Sequence, residues 1–153
     1  MDVVKAPTSV VIEVHQGFPD VTVTIRCPQE TAEIQRMVAL LESLDRRITG
    51  VLDGETCVLA THDVLYAESV DKRCFLYTAA AVYETSLRLF ELEDRYGDAG
   101  FFRASKSQIV NVGQISSLRP EFGSRLEVVM TNGERLIVSR QYAHMLKERL
   151  GLI

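Results

Sequence analysis

Two dipeptides, Asp53-Gly54 and Asn132-Gly133, each set between short apolar runs, constrain the fold of this chain more than any other feature. A two-residue reversal between twisted strands needs positive φ at both positions, and Asp-Gly and Asn-Gly reach it with little steric strain. Val51-Leu52 and Thr56-Cys57-Val58-Leu59 therefore read as one hairpin, and Leu126 to Met130 with Leu136 to Val138 as another. Val64 to Ala67 and Phe75 to Thr78 flank a polar loop from Glu68 to Cys74, and Ile115 to Leu118 adds a further short run. Two short helices complete the pattern. Ser86 is placed to cap one that carries Leu87, Leu89, Phe90, Leu92 and Tyr96. Ser139 is placed to cap a last one with Tyr142, Leu146 and Leu150 on one side. From Val51 onward the chain reads as mainly β.

The first fifty residues have a different grammar. Val10, Ile12 and Val14 alternate with polar residues, as do Val21, Val23 and Ile25 beyond Gly17-Phe18-Pro19-Asp20, which predicts a hairpin. Ile34, Met37, Val38, Leu41, Leu44 and Ile48 then recur at three and four, predicting an amphipathic helix over 30–48 that Gly50 ends. The expected organisation is a small ββα region over 1–50 and a larger domain over 51–153, α+β in class and mainly β. A ββα piece of this size has a marginal core by itself, so it is expected to pack on the rest of the chain or on a second copy.

Composition removes several function classes. The 153 residues suffice for one domain with an unstapled core. Cys27, Cys57 and Cys74 are odd in number and form no C-x-x-C pair, and His15, His62 and His144 are scattered, so neither a disulfide framework nor a metal site is indicated. No G-x-S-x-G, H-E-x-x-H, phosphate-binding glycine loop or carboxylate pair is present, so no enzyme, catalytic residue or cofactor is expected. No apolar run approaches the ~20 residues of a membrane span, and Met1 to Val10 lacks an apolar signal region. A cytoplasmic protein is expected. The net charge of −4 is unevenly spread: residues 1–100 hold nine Lys/Arg against seventeen Asp/Glu, whereas 101–153 hold eight against four. That asymmetry suits a basic binding face on an acidic molecule.

The basic portion opens with Phe101-Phe102-Arg103-Ala104-Ser105-Lys106-Ser107-Gln108-Ile109-Val110-Asn111-Val112 and is answered by Val138-Ser139-Arg140. Cations and hydroxyls at fixed places on a β scaffold suit gripping a phosphate backbone more than bond-making chemistry. Leu65-Tyr66-Ala67-Glu68-Ser69, this stretch, Asn132-Gly133-Glu134 and Val138-Ser139-Arg140 occur in an order that resembles the LytTR family of bacterial transcription regulators, over about residues 51–150. The resemblance implies short β-sheets stacked lengthwise with small helices, binding duplex DNA through loops that enter successive major grooves and bend the site.

Carried onto this chain, the resemblance implies three contact regions: Lys72, Arg73 and Cys74 in the first loop; Arg103, Ser105, Lys106 and Ser107 in the second; Ser139 and Arg140 in the third. Cys74 stands where family members carry a polar reader, a departure from the pattern. By its own chemistry, Arg140 has a forked guanidinium able to meet guanine O6 and N7 together. Lys106 is a compact charge suited to phosphate or base. Arg103 fits either phosphate binding or support of its loop through an acid. Ser139 fits either a phosphate donor or a helix cap, and the Asn111 amide fits a turn tie.

The expected function is a sequence-specific regulator acting as a homodimer on paired promoter half-sites. Many family members carry a receiver domain of roughly 110–120 residues ahead of the DNA-binding part. Here about fifty residues precede it, so the chain resembles the stand-alone group, whose input comes from a membrane-protein partner. The alternative is a protein-interaction or anti-activator module of the same fold that acts on such a partner without DNA.

Overall fold

The computed structural model describes residues 9–19, 21–43 and 46–153, which divide into two units at Glu30 and Thr31. In the first unit, the runs expected to form a hairpin, Val10 to Val14 and Val21 to Ile25, form no strand among the described residues. A lone two-stranded hairpin is marginal in water, and the sequence between the two runs holds no Asn-Gly or Asp-Gly pair to favour closure. Asp20 and Leu44, counted in the expected hairpin and helix, lie outside the described residues.

The second unit begins with α1 (Ala32–Ser43), shorter than its apolar period predicted. Ile48 belongs instead to β1 (Arg47–Leu52), where it is 2% exposed. Its spacing fits a helix, but Ile48-Thr49-Gly50-Val51 is β-branched around a glycine, and pairing with β2 (Glu55–Ala60) across Asp53-Gly54 recruits it into the sheet. Both turn residues have positive φ, 51° and 80°, as the dipeptide required. Strand β1 thus runs through the boundary expected between residues 50 and 51. Gly50 does not end a helix: a Cβ there would sit 2.6 Å from the Tyr83 Cβ, so the tyrosine side chain occupies the space its missing side chain leaves. Gly50→Ala is accordingly expected to destabilise the fold by ~1–3 kcal/mol, read as a lowered melting temperature.

The chain continues as β3 (Val64–Val70), β4 (Arg73–Thr78), β5 (Val82–Thr85), α2 (Leu89–Tyr96), β6 (Phe101–Arg103), β7 (Gln108–Asn111), β8 (Ile115–Glu121), β9 (Arg125–Met130), β10 (Arg135–Val138) and α3 (Arg140–Arg149). Helix α2 starts two residues later than a Ser86 cap would place it. Its entry is held by the Thr85 hydroxyl, which accepts from Leu87 N (3.2 Å), and by Glu91, whose carboxylate accepts from Arg88 N (3.4 Å).

Seven strands form one antiparallel sheet in the order β2-β1-β5-β4-β3-β7-β6, and three form a second, β10-β9-β8. Strand alternation, reset by an irregularity in β3 between Val64 and Tyr66, divides the core between the two faces of the large sheet. One face buries Val64, Ala67, Leu76 and Ile109 under Leu89 and Leu92 of α2. The other buries Leu65, Tyr66 and Val110 against Leu126, Val128 and Val138 of the small sheet and Ala143 and Leu146 of α3. Pro120, which has no N–H to give a ladder, sits on the edge strand β8. The mainly β, short-sheet architecture expected of residues 51–153 is what the chain adopts.

Candidate nucleic-acid interface

Strand register gathers the three expected contact regions at one end of the large sheet. Strands β3 and β4 extend further than predicted, so the polar loop 68–74 contracts to a two-residue turn, Asp71-Lys72, with φ of 51° and 65°. Glu68 pairs with Gln108, and Ser69 N donates to Ser107 O at 2.8 Å, which sets that turn beside the β6–β7 connection. Ser139 N donates to Ala104 O at 2.8 Å and ties the start of α3 to the same connection. Residues separated by more than thirty positions along the chain are joined by these two backbone hydrogen bonds.

The β6–β7 connection is itself tightly built. Ala104 N and Ser105 N both donate to Gln108 O, at 2.9 and 3.2 Å, and Ser107 N donates to the Ser105 hydroxyl at 3.2 Å. Lys106 is thereby held exposed at the tip. Ser105, Lys106, Ser107, Ser139, Arg140 and Gln141 line one open concavity of about 550 Å³. Its lining holds two cations, three hydroxyls and an amide, with no carboxylate, on a chain whose net charge is −4. Lys72, Lys106 and Arg140 make no ion pair or side-chain hydrogen bond among the described residues. The Ser139 hydroxyl does not cap α3, so the capping role open to it in the sequence is not used. Gln141 was not foreseen; the only signal for it was its place next to Arg140 in the first turn of α3.

Three expected contacts have other employment. Cys74 alternates inward on β4 and is 6% exposed; burial pushes its thiol up to about 11, so it is a neutral core side chain and not a surface reader. Arg73 is exposed but lies over Phe75 and makes a two-pronged contact with Glu84 of β5, at 2.9 and 2.6 Å. Hydrogen bonding from Arg73 holds the Glu84 carboxyl below its ordinary value. The charge at the first turn therefore rests on Lys72.

Arg103 resolves in favour of loop support. Its Nε donates to Ser105 O (2.7 Å), one terminal nitrogen donates to Lys106 O (2.9 Å), and the other approaches Glu93 of α2 at 3.7 Å. The guanidinium spans the inside of the Lys106 turn. Arg103→Met is expected to loosen the turn, with faster amide exchange at 105–107. DNA affinity should fall as far as for loss of Lys106 itself, against a stability loss of only ~1–3 kcal/mol.

Comparison with known proteins gives the family of this fold. Residues 54–151 match the LytTr DNA-binding domain family. An uncharacterized HTH-type transcriptional regulator of Staphylococcus aureus (strain NCTC 8325 / PS 47) is 28% identical over 132 residues, 85% of this chain and 89% of that protein. The sensory transduction protein LytT of Bacillus subtilis (strain 168) is 34% identical over 100 residues, 65% of this chain and 42% of LytT. Among solved structures, the LytTr DNA-binding domain of a methyl-accepting/DNA response regulator from Bacillus cereus superposes with a TM-score of 0.65 at 28% identity, covering 69% of this chain and 96% of that one. The name given to the staphylococcal relative implies a helix-turn-helix. In this chain, five strands separate α1 from α2 and five more separate α2 from α3, so no two helices among the described residues are consecutive. With the matched segment and the β architecture in agreement, the chain belongs to the LytTR family of DNA-binding domains.

Proposed function

We propose that this protein is a transcriptional regulator that reads duplex DNA with three loops, acting as a homodimer on paired half-sites. Arg140 acts as the base reader in one major groove, Lys106 clamps phosphate beside it, and Lys72 extends the contact at the β3–β4 turn. Ser105, Ser107 and Ser139 donate to phosphate oxygens. The observation that carries this reading is the acid-free concavity shared by Lys106 and Arg140. Within a chain of net charge −4, such a surface supports an anionic ligand that is long and evenly charged, and the three-turn edge suits a polymer more than a small molecule. The regulator names of the bacterial relatives support the same reading.

Purified protein titrated onto its own upstream DNA at several salt concentrations tests this. Lys106→Ala is expected to weaken binding to all sequences alike and to reduce the slope of log K against log salt by about one unit. Sedimentation of the complex should give two protein chains per site. Failure of the wild-type protein to retard any upstream duplex at low salt would sink the proposal.

A further inference from the structure

The β8–β9 turn offers a side chain that the three-loop reading leaves unused. Phe122 is 86% exposed at the tip of that hairpin, and no ring contact holds it among the described residues. The turn beneath it is well defined. Gly123 and Ser124 have φ of 77° and 63°, Arg125 Nε donates to Phe122 O at 2.9 Å, and Phe122 N donates to the Glu121 carboxylate at 3.1 Å. A bulky apolar ring is thus presented on a fixed support, where burial in the fold stabilises nothing.

Register locates the turn. Val138, the last residue of β10, pairs with Leu126, and Leu126 pairs with Pro120 on its other side. The Glu121–Arg125 pair and the turn therefore lie beyond Val138, at the same end of the small sheet from which Ser139 and Arg140 emerge. At ~5 Å between strands and ~3.3 Å per residue, the tip stands on the order of 10 Å from the start of α3 and projects past it. Its immediate surroundings carry both charges, with the Glu121 carboxylate directly beneath the ring's backbone and, beside it, a cation that has no ion pair among the described residues. Arg125 is exposed at the base of the turn, and Arg119 follows on the same face, paired with Glu127 at 3.0 Å. An apolar tip with an exposed cation at its base, projecting past the end of the sheet from which Arg140 emerges, has the chemistry of an element that presses into a minor groove while the cation meets phosphate.

We infer that Phe122 is a fourth DNA contact, an apolar wedge for the minor groove next to the major groove entered by Arg140, with Arg125 on the adjoining phosphate. The inference rests on the duplex-binding reading above and adds to it the residue that deforms the site. A wedge gains its binding energy from a bent duplex that touches more protein, so affinity and bending change together when it is removed.

The test uses the full chain and an upstream duplex labelled at both ends for energy transfer. Phe122→Ala is expected to weaken binding about tenfold and to reduce the bend, with the salt slope unchanged because no charge is lost. Phe122→Leu is expected to retain most of both. Wild-type binding with Phe122→Ala equal to it in affinity and bend overturns the wedge alone. No binding by the wild-type protein overturns the wedge and the duplex reading together. Intact binding and bending by Phe122→Ala with lost transcriptional output overturns the wedge and points to a protein partner at this turn.

Discussion

Arg140→Ala is expected to weaken binding to the cognate duplex by ~1–3 kcal/mol, about 5- to 150-fold, and to flatten the preference at one base position. The reasoning starts from what Arg140 does for the fold, which is little. It is the first residue of α3, exposed, and without a partner among the described residues. A cation in the first helical turn faces the positive end of the helix dipole, a disadvantage of ~0.3–1 kcal/mol, and alanine is the better helix former. The substitution should therefore leave the melting temperature unchanged or slightly raised while DNA affinity falls. Arg140→Lys separates charge from shape: an ammonium keeps the attraction to the duplex but lacks the planar fork, so non-specific binding should survive and discrimination should not. Retained base preference in Arg140→Lys would show that Arg140 contacts phosphate and that another side chain reads the base. Equal affinity of Arg140→Ala and wild type for the cognate site would remove Arg140 from the interface.

How much of this was legible in the sequence depended on the range of the forces involved. Asp53-Gly54 and Asn132-Gly133 each marked a hairpin because a turn is specified by its own residues; Asp53 and Gly54 both have positive φ, whereas in the second only Gly133 does, in a longer turn that Gly133 N closes onto Met130 O. Asp71-Lys72 closes a similar turn but carries no glycine, so nothing local distinguished it from a longer polar loop. The same miscount placed Cys74 on the surface. Extending β4 by two residues fixes its alternation, and a one-residue difference in where a strand begins decides which face a side chain meets. Ile48 was ambiguous because three- and four-residue spacing does not exclude a strand. Partners across the sheet were invisible: Glu84 neutralises Arg73 from eleven residues away, and Arg103 is turned inward by carbonyls whose positions depend on the turn they belong to. Arg140 and Lys106 could be singled out by residue type. That they share one concavity depends on the Ser139–Ala104 hydrogen bond, which only the folded chain contains.

The largest effect on stability is expected at Asn111, the residue that ties the far end of β7. It is 2% exposed, and its side chain makes three hydrogen bonds. Nδ2 donates to Val64 O (2.8 Å) and Thr61 O (3.3 Å), while Oδ1 accepts from Gly113 N (3.1 Å). One amide thus joins the start of β3, the turn before it and the turn after β7, the two strands that carry the Lys72 and Lys106 turns at their other ends. Asn111→Ala takes their side-chain partner from the buried Val64 carbonyl and the Gly113 N–H, while the Thr61 carbonyl keeps the Val64 N–H. At ~1–3 kcal/mol for each buried group left unsatisfied, and with partial relaxation, the loss is about 3 kcal/mol or more. That is a large part of the ~5–15 kcal/mol that holds a typical domain together, and melting should fall by about 10 °C. Asn111→Asp sharpens the test because it keeps the shape. Its carboxylate can still accept from Gly113 N–H, but it faces two carbonyl oxygens and has no proton to give them. Burial and those oxygens favour the neutral acid, so the folded-state pKa of Asp at this position rises above its unfolded value. A raised acid favours folding below the unfolded pKa, and that advantage is lost as pH climbs through the folded one. Asn111→Asp should therefore lie closest to wild type in acid and fall away from it toward neutral pH. A gap between the two proteins that does not change with pH would mean that the contacts of Nδ2 with Val64 and Thr61 do not hold the turn.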